Sequence, residues 1–113
     1  MLLAINVYIC RKYIQMIGTG IRRVRKIKKI NQKTLAKKIK TTASYLSEVE
    51  TGSRTPTLEF VGRISKALDV PVSVIAFYGL ERKDVAKNKR EIFDSIAPAV
   101  EDLISQLFET PLI

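Results

Sequence analysis

From Ile21 onward, apolar residues recur every three or four positions in short blocks divided by polar breaks, which predicts a series of short amphipathic helices. Ile21, Val24 and Ile27 mark the first, with Arg22, Arg23, Arg25 and Lys26 around it. Asn31 is a good N-cap for a second helix from Gln32 to Ile39, in which Leu35, Ala36 and Ile39 share a face. Thr42 caps a third, Ala43 to Glu50, with Leu46 and Val49 inward. The Gly, Pro and Ser content of residues 51–56 makes that stretch a loop. Thr57 caps a fourth helix, where Leu58, Val61, Ile64 and Leu68 recur and Glu59 suits the positive end. Pro71 opens a fifth helix, which Gly79 stops. These helices are expected to close a core around Leu58, Val61, Ile64, Leu68, Val74 and Ile75.

The two ends read differently. Residues 80–88 are a polar connection, after which Ile92, Phe93, Ile96, Val100, Leu103, Ile104, Leu107 and Phe108 form one helical stripe. Pro98 falls on the polar side of that stripe, so the segment reads as a kinked helix or two short helices in line. At the front, Met1 to Cys10 is apolar apart from Asn6, too short to span a bilayer, and its positive charge follows the apolar run instead of preceding it as in a signal peptide. Leu3, Ile5, Val7 and Ile9 alternate as a short strand would. Met16 opens a more ordinary start, so residues 1–15 read as a leader whose removal changes little, or as a segment that folds onto the body or a partner.

Composition narrows the chemistry. The 113 residues suit one ordinary domain with a small core. There is no His, no Trp and a single Cys, Cys10, so no internal disulfide and no Cys-pair metal site is expected, and a reducing cytoplasm is the expected compartment. No phosphate loop and no Ser/His or Cys/His pair is present, which argues against an enzyme and against a cofactor. Net charge is +9, unevenly spread: residues 1–47 hold 12 Lys or Arg and no acid, whereas residues 81–113 hold 5 basic and 7 acidic residues, a net of 5 − 7 = −2. Ten basic residues between Arg22 and Lys40 without an acid among them point to an anionic partner rather than a merely solvated face. The apolar faces are narrow and taken up by the bundle, so a membrane surface is not the expected partner.

Residues Gln32 to Gly52 have the layout of a helix-turn-helix, in which two helices cross through a tight turn. Ala36 is small enough to admit the next helix, and Leu46 and Val49 hold it against the core. At the turn position that favours Gly, the chain has Lys40, at a cost of about 1 kcal/mol. With Ile21 to Arg25, Asn31 to Ala36, Thr42 to Gly52, Pro56 to Glu59 and Ala67 to Pro71, the sequence resembles the Cro and lambda-repressor type of helix-turn-helix regulators over roughly residues 17–78.

The resemblance implies an all-α, five-helix DNA-binding domain over residues 17–79. A leader or flexible segment, 1–16, would precede it, and a linker with a C-terminal helical oligomerisation segment, 80–113, would follow. It implies an ion pair between Arg25 and Glu50 that fixes helix orientation. It makes Gln32 a phosphate clamp, assisted by Asn31 and by its own backbone N–H, with Arg54 as a second phosphate candidate and Lys33 as a further sequence-independent DNA contact. Ala43, Ser44 and Glu48 match the positions that project into the major groove, flanked by Thr42, Tyr45 and Ser47. None of the three is the Arg, Asn or Gln that makes the strongest base contacts, so the code is expected to be short and helped by DNA shape. Glu48 reads equally as an acceptor for a cytosine amino group or as a solvated charge, and Tyr45 as a contact or a packing residue.

The stripe from Ile92 to Phe108 has no surface left in such a monomer, which implies a homodimer on a palindromic duplex; that it acts as a repressor is what the family resemblance implies. The alternative is an antitoxin or inhibitor-type interaction protein that holds a protein partner through its C-terminal helix, with DNA binding secondary.

Overall fold

The computed structural model describes the backbone of residues 2–108 and the side chains of residues 11–107, and its regular elements are all helical. Helix α1 runs from Leu2 to Ile27 as one element of 26 residues. The pattern places the first helix at Ile21, but Gly18 and Gly20 lie inside α1 and not ahead of it. Tertiary packing explains this. A β-carbon on Gly20 would fall on the carbonyl oxygen of Ile75 in α5 (Val72–Gly79), and one on Gly79 would fall on the carbonyl oxygen of Met16. Gly18 is pressed in the same way against the Val49 carbonyl of α3 (Ala43–Thr51). Glycine weakens a helix by about 0.5 to 1 kcal/mol per residue. Here that cost admits two neighbouring helices and buries Ile17, Ile21 and Val24.

Residues ahead of Met16 also touch the body. Tyr13 packs against the core, and Lys12 Nζ lies 2.7 Å from Asp84 Oδ1 in the connection after α5. The hydrogen bond from Lys12 holds the Asp84 carboxyl below its ordinary range. The pair therefore adds stability at neutral pH and loses it as pH falls through that lowered value. Removal of residues 1–15 is expected to change more than the sequence suggests: a loss of about 1 to 2 kcal/mol from the Tyr13 contact, read as a lower midpoint in urea. An unchanged midpoint would return these residues to the status of a leader.

Helices α2 (Gln32–Lys38), α3 and α4 (Leu58–Leu68) each begin at a predicted cap. Asn31 Oδ1 accepts from the Thr34 N–H at 2.7 Å, Thr42 Oγ1 from Tyr45 at 3.1 Å and Thr57 Oγ1 from Phe60 at 3.1 Å. Each satisfies a donor that the first helical turn leaves free. Between α2 and α3, Lys40 takes the left-handed conformation at φ +57°. Arg63 of α4 donates to the Ile39 carbonyl at 2.9 Å and so closes the end of α2.

Leu35, Ala36, Ile39, Leu46, Val49, Val61, Ile64, Leu68, Val74 and Ile75 are buried in one cluster. Leu58 is not; it is 78% exposed, and Phe60 is buried in its stead. Leu58 sits about a quarter-turn from the centre of the stripe made by Val61, Ile64 and Leu68. On the other flank Phe60 meets Tyr45 edge-on, with ring centroids 5.1 Å apart.

Two short 3₁₀ turns, Arg82–Asp84 and Lys87–Lys89, lead to α6 (Arg90–Phe108), which continues through Pro98 as a single helix. Its apolar residues do not share one face. Ile104 is buried in the core of the same chain, Val100 packs beside it and Phe93 is half-buried. Ile92, Ile96, Leu103 and Leu107 form a second, outward row with exposures of 51 to 65%. The expectation that the whole stripe lacks a surface in the monomer is corrected for Phe93, Val100 and Ile104; the side chain of Phe108 lies outside the described residues. Among the described residues, no helix is long and apolar enough to cross a membrane.

Candidate nucleic-acid interface

Helix α3 is two-sided. Leu46, Val49 and Glu50 are buried, whereas Ala43 and Ser44 are exposed, and Ser47, Glu48 and Thr51 continue the same outward side at helical spacing. The buried side includes a charge. Arg25 Nε and Nη2 of α1 donate to the two carboxylate oxygens of Glu50 at 2.8 and 3.0 Å, the forked geometry that guanidinium and carboxylate favour. Arg25 Nη1 donates to the Ile30 carbonyl at 2.9 Å, which ties the end of α1 to the entry of α2.

Gln32, at the N-terminus of α2, enters the same network: its Nε2 donates to Glu50 Oε1 at 3.0 Å. Sequence reasoning assigns the Gln32 side chain to phosphate and not to Glu50. One amide proton is held by the carboxylate, which leaves the second N–H and the oxygen for another partner. The Asn31 oxygen is engaged in its cap, so the group left for an anion is its amide nitrogen. Lys33 is exposed beside them.

Glu48 and Arg54 are brought together. Arg54 Nε lies 2.8 Å from Glu48 Oε2, with both side chains largely in water. Sequence reasoning gives these residues separate roles and does not anticipate the pair, since six positions across a loop carry no periodic signal. The contact uses Nε, and the terminal nitrogens of Arg54 remain donors. The Arg54 guanidinium also stands 6.0 Å from the Tyr45 ring centroid. Tyr45 is thus a packing residue through Phe60 and a support for Arg54 at once.

Of the other basic residues between Arg22 and Lys40, Arg22, Arg23, Lys26, Lys29, Lys37, Lys38 and Lys40 are exposed. Among the described residues, no three His, Cys, Asp or Glu side chains group as metal ligands.

Residues 21–75 match a family model described as helix-turn-helix. The chain is also similar to an immunity repressor protein of Bacillus phage phi105, at 31% identity over 88 residues. That alignment covers 67% of this chain and 61% of the relative, so the chain spans about three fifths of the relative's length.

Proposed function

Since the chain belongs, through residues 21–75, to the Cro and lambda-repressor type of helix-turn-helix families, we propose that it is a DNA-binding transcriptional regulator that reads duplex DNA with α3. The observation that carries this reading is the outward side of α3. It is made of small and polar residues and held rigidly beside the amide of Gln32 by the Arg25–Glu50 fork. In this arrangement Ala43 and Ser44 meet base edges in the major groove, and Gln32, Asn31 and Lys33 meet one backbone. The terminal nitrogens of Arg54 meet phosphate while its Nε keeps Glu48 paired. That pairing reduces the repulsion a bare carboxylate would feel among phosphates and leaves Oε1 free to accept from a cytosine amino group.

The supporting test is the salt dependence of binding to selected duplexes. With some 6 to 10 phosphates neutralised by two protomers, the slope of log K against log salt is expected near −5 to −9. A slope shallower than about −2 would remove the duplex-binding reading. In the same assay Glu48→Gln should change the preference at one or two base pairs by about 1 to 3 kcal/mol, whereas Gln32→Ala should weaken all sequences alike.

We assign the outward row of α6 to a homodimer seam and the action to repression of a promoter by occlusion. Covering Ile92, Ile96, Leu103 and Leu107 is favourable by roughly 6 kcal/mol per protomer at about 1.5 kcal/mol each. A two-fold seam sets two reading helices about 34 Å apart on a palindromic site. An Ile96→Ser, Leu103→Ser protein is expected to sediment as a folded monomer and to bind the palindrome at least tenfold more weakly. A dimer that survives both substitutions would place the seam elsewhere, and a different protein recovered in equal amount on α6 would favour the interaction-protein reading.

A further inference from the structure

Helix α6 does not close fully onto the body. Between it and the C-terminal parts of α1 and α5 lies a cleft of about 340 Å³, within the size range of small-molecule sites. Phe77 of α5 and Phe93 and Ala97 of α6 supply apolar walls. Arg23 and Lys26 of α1 line it as well, and no described acid forms an ion pair with either. Arg23 gives one N–H to the Tyr78 carbonyl at 2.9 Å and keeps its other donors.

Tyr78 lines the same cleft at 6% exposure, and among the described residues its hydroxyl is the buried side-chain polar atom without a hydrogen-bond partner. Native interiors rarely leave such a group unmatched. Burial, and then the nearby Glu101 carboxylate, push the phenol up to about 12, so it remains a protonated donor at neutral pH. Glu101 also lines the cleft, and the three charged side chains there sum to 2 − 1 = +1.

We propose that this cleft binds a small aromatic monoanion, its ring against Phe77 and Phe93, its charge on Lys26 and Arg23, and an acceptor atom on the Tyr78 hydroxyl. Glu101 disfavours a second negative group, which limits the class to single charges. No residue of α2 or α3 lines the site, so a ligand there covers none of the side chains proposed to read DNA. A ligand in the cleft braces α6 against α1 and α5, and its effect on operator affinity rests on the dimer reading.

The test uses the full chain with 8-anilinonaphthalene-1-sulfonate as fluorescent reporter and salicylate as competitor. Saturable binding at one reporter per chain is expected, displaced by salicylate and not by the cation benzylamine. Lys26→Gln, at an exposed position, should weaken salicylate about tenfold. Tyr78→Phe should weaken it about three- to tenfold while raising the melting temperature of the unliganded protein, a pairing that a purely structural role would not produce. Ala97→Trp should fill the cleft and abolish binding, whereas Ile96→Ser and Leu103→Ser should leave it intact. The proposal is overturned if no saturable binding occurs, if Lys26→Gln has no effect, or if the outward-row substitutions remove the reporter instead.

Discussion

A Glu50→Ala protein is expected to lose about 3 to 5 kcal/mol of folding stability, a large share of the 5 to 15 kcal/mol typical of a domain. The size follows from what is stranded and not from what is lost. Glu50 accepts three hydrogen bonds, two from Arg25 and one from Gln32, and its side chain is 1% exposed against 9% for that of Arg25. With the carboxylate gone, a guanidinium stays in the interior with its charge uncompensated. Replacing both partners by apolar side chains of similar volume should recover most of the loss, because neither charge is then buried alone. Urea denaturation of the single and paired substitutions measures both quantities. A cost under 1 kcal/mol for Glu50→Ala would mean that water reaches Arg25.

The second large effect is expected at Gly20. An added methyl would collide with the Ile75 backbone, which cannot turn aside as a side chain can, so Gly20→Ala should force α1 and α5 apart and cost about 3 kcal/mol or more. Gly62 in α4 is the control. Nothing lies within 4 Å of its added β-carbon, and Gly62→Ala should stabilise the protein by about 0.5 to 1 kcal/mol. Thermal unfolding of the two proteins should move in opposite directions; a shared direction would contradict the close approach of α1 and α5.

These two sites show where the sequence is legible. The segment from Asn31 to Gly52 reads correctly because its signals are local: a capping side chain, a small residue at Ala36, and apolar residues at helical spacing. Gly18 and Gly20 carry no such local signal. Within the sequence they look like breaks, and only the neighbouring backbones of Val49 and Ile75 reveal them as contact points. Leu58 and Phe60 both fit a helix start, and the choice between them is made by Tyr45 on another helix. In α6 the seven described apolar residues from Ile92 to Leu107 span two adjacent faces, and which face turns inward depends on a body whose outline the sequence does not draw. The pairing of Glu48 with Arg54 and the link from Gln32 to Glu50 are likewise products of how the helices meet.

The division of α3 into an inner and an outer side bears on how this protein can change over generations. The side chains that fix the helix in place, Leu46, Val49 and Glu50, are buried, while Ala43 and Ser44, the residues proposed to meet base edges, are exposed and among the smallest available. Exposed positions of this kind tolerate substitution within about 0.5 kcal/mol. Folding and the proposed recognition therefore draw on separate residues of one nine-residue helix. On the proposed reading, a lineage could exchange one operator for another through a few codons of this outer side without passing through an unfolded intermediate, and a protein engineer could follow the same route.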